Sequence, residues 1–159
     1  MADLLTHVLV AYVLATVARW RVGFPRHWVP IAMGGAAMPD LVKVGLVIDE
    51  SVVQGVLGVP FEYAPISSFG GVVVVAAGIT ILFDRGVWRE VYGLLIFGGL
   101  TSLVVDGARV FADGTGGFWL YPVWVQPPTP ELYVSADPRV LAVVLSTAVV
   151  VTGVDYYRR

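Results

Sequence analysis

A histidine and two aspartates stand where an apolar chain has least use for them. His7 falls in DLLTHVLVAYVLA, Asp40 in GGAAMPDL and Asp106 in GGLTSLVVDG. One imidazole and two carboxylates can hold a divalent metal such as Zn or Mn, with water completing the shell. Water on such an ion loses a proton more readily and becomes a nucleophile. On this reading His7, Asp40 and Asp106 are metal ligands, Asp40 and Asp106 are the catalytic carboxylates, and Ser67 and Ser102 contact water or substrate. A structural reading stands beside it. Asp3 and His7 are four apart, while Asp40 and Lys43, like Asp106 and Arg109, are three apart. Pairs so spaced meet on one helix face, and a carboxylate with its own cation needs no metal. Spacing leaves both readings open.

The elements that must position these groups follow from composition. The chain has 159 residues, 57% hydrophobic and 14% charged, with a mean hydropathy of +0.80. Soluble domains are about a quarter charged. The expected fold is an all-α, polytopic membrane helical bundle forming one domain over residues 1–159, with the lipid bilayer as its first partner. There is no cysteine, which excludes a thiolate metal site, a disulfide framework and a cysteine nucleophile. Net charge is −2 and the ten Lys and Arg residues form no dense patch, so nucleic-acid binding has little electrostatic support. MADLLTHVLV lacks the positive leading region of a signal peptide and reads as a retained first helix. No G-x-S-x-G elbow or P-loop occurs, and GTGG at 114–117 reads as a turn.

About five spans are expected, at residues 3–18, 28–48, 67–83, 91–111 and 138–157. Arg19 to Arg21 end the first. Pro39 kinks the second, and a re-entrant segment at 28–38 is the competing topology. Arg19, Arg21, Arg26, Arg85, Arg89, Arg158 and Arg159 fall on one side. Asp49, Glu50, Glu62, Asp113, Glu131 and Asp137 fall on the other. The positive-inside rule then places the N-terminus outside and the C-terminus in the cytoplasm of a multi-pass plasma-membrane protein. Trp20, Trp28 and Trp88 are expected at the inner edge and Trp119 and Trp124 at the outer; His27 reads as interfacial. Glycine pairs at 34–35, 70–71 and 98–99 suit close helix packing. Asp40, twelve residues into its helix, lies about 18 Å from the inner side. His7, Ser67, Ser102 and Asp106 reach a similar depth. Ionisable groups inside a membrane face the bundle interior or a watery cavity, so an outward-opening cluster is expected.

The stretch FWLYPVWVQPPTPELY is too broken by proline to span. It is either a structured cap over the outer mouth, and a surface for a protein partner, or a loop anchored at lipid headgroups.

DLLTHVLVAYVLA, GGAAMPDL, SSFGG and GGLTSLVVDG follow one another as in the YdjM-like membrane proteins, and the chain resembles that family over most of its length. The family is described as inner-membrane-associated metal-dependent hydrolases, some of them LexA-binding. The tail YPVWVQPPTPELYVSADPR is similar to haloarchaeal members. The resemblance puts the family's first histidine at His7, its Pro-Asp at Pro39-Asp40 and its later aspartate at Asp106. Three further ligand positions are occupied by Val42, Ser67 and Leu103. The resemblance thus implies a degenerate, non-catalytic member serving as a membrane scaffold or interaction subunit. The alternative is an active metal-dependent hydrolase on a membrane-proximal or lipid-like substrate.

Overall fold

The computed structural model describes residues 2–110, 117–134 and 137–158. The described elements are helical, with one isolated bridge between Arg109 and Tyr133. They are α1 (Ala2–Val22), α2 (Val29–Ala37), α3 (Glu50–Leu57), α4 (Phe69–Thr80), α5 (Trp88–Gly107) and α6 (Pro138–Tyr157). Short 3-10 turns join several of them.

Among the described residues, three helices are long and apolar enough to cross a bilayer: Leu4–Val22, Arg85–Gly107 and Pro138–Tyr157. Of the other two expected segments, one is broken and one is short. The second is not one kinked helix over 28–48. α2 stops at Ala37, and the chain bends 49° into a 3-10 helix, Pro39–Leu46. Pro39 has no N–H to continue the α-helical ladder, and its ring opposes the preceding turn. The bent pair can count as a fourth, broken span. The expected helix at 67–83 is α4, only 12 residues long, or about 18 Å against a hydrocarbon core of roughly 30 Å.

Other boundaries moved less. α1 runs through the arginines to Val22 rather than ending at residue 18, because basic side chains suit a helix C-terminus. α5 starts at Trp88 and ends at Gly107, not at 91 and 111. Phe111 and Asp113 lie outside the described residues, as does the 114–117 turn apart from Gly117. α6 matches its expected range.

α3 was not anticipated. Asp49 caps it by accepting the Ser51 N–H at 2.8 Å, and Gly58 ends it at φ 69°. That left-handed position suits glycine. The Ser51 side chain first, and its backbone N–H second, hold the exposed Asp49 carboxyl below its ordinary pKa, against a lesser opposing effect of desolvation. A depressed carboxylate pKa adds stability that is complete above the unfolded value and is lost as pH falls through the folded one. The first turn of α3 is therefore expected to fray in acid. Amide exchange at Ser51, normalised for the intrinsic rate, should rise as pH drops through that range. Asp49→Ala should remove the dependence.

α2, α4 and α5 form the centre. Met38, Val72, Ala76, Val91, Leu95 and Leu103 make one buried cluster, and Ala15, Val29 and Ala32 a second between α1 and α2. Glycine sets the closest approach. A Cβ on Gly98 would overlap the Ala32 carbonyl oxygen, and one on Gly35 the Leu95 carbonyl oxygen. Backbones this close gain dispersion contacts that larger side chains would forbid.

α6 packs chiefly on α1. Tyr12 meets Thr152, and Arg19 meets Asp155, so the two helices run parallel. The C-terminal end of α1, the N-terminal end of α5 and the C-terminal end of α6 therefore share one end of the bundle. Arg19, Arg21, Arg85, Arg89 and Arg158 belong to it. The opposite end is a mouth formed by the start of α1, the Pro39 turn, the start of α4 and the end of α5.

Residues 117–134 fold across that mouth. Phe69 and Gly70 donate their N–H groups to the Trp119 and Tyr121 carbonyls, both at 2.8 Å. These are among the N–H groups that a helix start leaves without a partner. Tyr133 Oη donates to Val105 O at 2.8 Å, and the Trp119 indole stacks on Gly107. Of the two readings of this stretch, the described part takes the cap. Trp119 turns inward over the bundle instead of anchoring at its rim.

Candidate polar site at the mouth

Four separate pieces of backbone deliver the site. α1 supplies His7, the Pro39 turn supplies Asp40 and Lys43, α5 supplies Ser102 and Asp106, and the residues after α5 supply Arg109. The bend at Pro39 is what brings Asp40 there, since it opens the 3-10 helix directly under the cap.

His7 is the centre, only 2% exposed. Its Nδ1 lies 2.9 Å from Ser102 Oγ and 4.0 Å from Asp40 Oδ2, and its Nε2 lies 3.4 Å from Asp106 Oδ1. Lys43 Nζ bonds Asp40 Oδ1 at 2.6 Å, and Arg109 approaches Asp106 Oδ1 at 3.7 Å. Both i,i+3 pairs read from the spacing are formed. The Asp3 side chain, expected beside His7, lies outside the described residues.

The sequence-selected residues thus converge. Ser102 is fully buried and bonds His7. Ser67 lines a crevice of about 220 Å³ together with Asp40, Lys43, Asp106, Arg109 and Trp119. Its hydroxyl donates to Ala64 O at 3.0 Å. Val42 lies on the same wall.

Asp40 and Asp106 address opposite nitrogens of one imidazole ring, and a single ion takes only one of them. Nδ1 is also bonded to Ser102. Among the described residues no group of three or more His, Cys, Asp or Glu side chains is placed to hold a metal. Charge balances without one, two carboxylates against Lys43 and Arg109. Asp40 Oδ2 and Trp119 Nε1 are buried with no hydrogen-bond partner.

A second polar cluster, at the arginine end, was missed in the sequence. Asp155 is 3% exposed. One carboxylate oxygen pairs with Arg19 and accepts the Trp20 indole N–H at 2.8 Å, and the other pairs with Arg26. The signal available was an acidic residue inside an apolar helix, three positions before the terminal arginines. Trp20, expected as an interfacial anchor, serves this carboxylate, with Arg158 stacked 4.7 Å from its ring centre.

Comparison of the chain with protein-family models, with curated proteins and with solved structures found no match.

Proposed function

We propose that this chain is a non-catalytic membrane scaffold of hydrolase-like build, a degenerate relative of the YdjM-like proteins. The observation that carries the reading is the Asp40–His7–Asp106 chain, in which each carboxylate has its own cation and the imidazole sits between them. Such a chain ties α1, the Pro39 turn and α5 together beneath the cap. The cap above it then offers a partner-binding surface. The basic end lies in the cytoplasm and the mouth outside, by the positive-inside rule. The passes alternate through α1, the broken α2 segment, α4 together with the turns on either side of it, α5 and α6.

The test is metal content by mass spectrometry on detergent-purified protein, alongside melting temperature with and without chelator. Metal well below one equivalent and an unchanged melting temperature are expected. A bound ion would stabilise the folded state by mass action, so stoichiometric metal with a chelator-induced fall in melting temperature would overturn the reading.

The crevice beside Asp40, Ser67 and Asp106 favours a second reading, a hydrolase acting on a lipid-like substrate at the membrane surface. Turnover of a short-chain phospholipid ester by the wild type, lost in a folded Asp40→Asn variant, would establish it over the first.

A further inference from the structure

One cavity is lined by none of the side chains that form the two polar clusters. It is an apolar groove of about 660 Å³ at the arginine end, between α1 and α5. Ala15, Phe24, Trp28, Leu94 and Phe97 line it, and Arg89 and Glu90 stand on its rim. Its volume lies in the range of ligand pockets, and its wall pattern, apolar with a few polar groups at one end, is theirs as well. Glycine keeps the groove open: a Cβ at Gly93 on α5, or at Gly86 in the turn before it, would meet nothing within 4 Å.

Length and charge identify the occupant. Arg89 and Phe97 are eight residues apart on one helix, about 12 Å along its axis. One leaflet's hydrocarbon is about 15 Å deep. A groove of that length with its charged rim at the interface matches one acyl chain below one headgroup. The charge available at the rim is also defined. Arg19 and Arg26 are taken by Asp155, while Arg85 and Arg158 stack on Trp88 and Trp20. Arg89 makes no ion pair among the described residues, and neither does Arg21, next to the lining residue Val22. A guanidinium is the side chain suited to bidentate phosphate recognition. Glu90 on the same rim limits the headgroup to a modest negative charge, as one phosphodiester carries.

We propose that this groove is a binding site for a phospholipid with one net negative headgroup charge, its acyl chain between α1 and α5 and its phosphate at Arg89.

The test is native mass spectrometry of the full chain released from vesicles containing equal amounts of phosphatidylglycerol and phosphatidylcholine. Wild type is compared with Gly93→Phe, which fills the groove, and with Arg89→Gln, which removes the rim charge. Wild type is expected to retain one phosphatidylglycerol, at least fivefold in preference to phosphatidylcholine. Gly93→Phe should lose bound lipid about tenfold with an unchanged melting temperature. Arg89→Gln should keep a lipid but lose the preference. Equal retention of both lipids by wild type would overturn the headgroup assignment. Undiminished lipid on folded Gly93→Phe would overturn the site. Should Gly93→Phe fail to fold, Arg89→Gln still decides, because a retained preference there would also overturn the assignment.

Discussion

Replacing Asp155 with asparagine is expected to lower the melting temperature in detergent by on the order of 10 °C. The carboxylate is 3% exposed, holds Arg19 and Arg26, and accepts the Trp20 indole N–H. Asparagine keeps one acceptor oxygen and removes the charge. Two arginines are then left facing each other without a counter-ion. Removing one partner of a buried ion pair costs about 3–5 kcal/mol. For a chain of this size each kcal/mol moves the transition by about 2–4 °C. The loss falls on α6, which packs chiefly on α1 and has most of its surface turned away from the protein. A second readout separates local from global damage: limited proteolysis should release α6 before the other helices. Tyr12→Phe is the control on the same helix pair. It removes one partly solvated hydrogen bond to Thr152, worth about 1 kcal/mol. A melting temperature for Asp155→Asn equal to that of Tyr12→Phe would mean apolar contact alone holds α6.

Gly98→Ala is expected to separate α2 from α5. The added methyl group would overlap the Ala32 carbonyl oxygen and press on the Ala36 nitrogen. Both are backbone atoms, so no side-chain rotation relieves the clash. Overpacking typically costs about 1–3 kcal/mol, and a clash with backbone belongs at the upper end or above. The effect should reach the mouth. α5 carries Ser102 and Asp106 one to two turns beyond Gly98, so their alignment on His7 depends on this contact. Gly93→Ala is the matched control on the same helix. Its methyl group meets nothing within 4 Å, and alanine is the better helix former by about 1 kcal/mol. A neutral or slightly raised melting temperature is expected there. Equal behaviour of the two variants would show that the α2–α5 approach is not set by Gly98.

His7, Asp40 and Asp106 were legible because each is an ionisable residue in an apolar segment, where burial against the bundle is the only inexpensive outcome. Their pairing with Lys43 and Arg109 was legible from helical spacing. What spacing could not show was which nitrogen of the imidazole each carboxylate would meet. The Pro39 break was legible in the same way, from a missing N–H. The turns that interrupt the next apolar run were not. The apolar run at 67–83 reads as one span, but it begins as a 3-10 turn at Ala64–Ser67, restarts at the Ser68 cap and turns again after Thr80. Hydropathy does not register such local turns. α3 was hidden because its capping aspartate and adjacent glutamate resemble any acidic loop. Asp155 was hidden by its neighbours: a carboxylate beside terminal arginines looks solvated until the α1–α6 packing is known.

The cap supplies carbonyl groups to the first turn of α4, and this makes the two a single cooperative unit. Trp119 and Tyr121 accept the N–H groups of Phe69 and Gly70. Lifting the cap therefore strips two hydrogen bonds from a helix only 12 residues long. Access to the crevice is tied energetically to fraying of α4, about fifty residues away in sequence. Protection of the Phe69 and Gly70 amides against exchange is thus a direct gauge of how often the mouth opens. A partner that grips the cap shut would slow exchange inside the bundle without touching it.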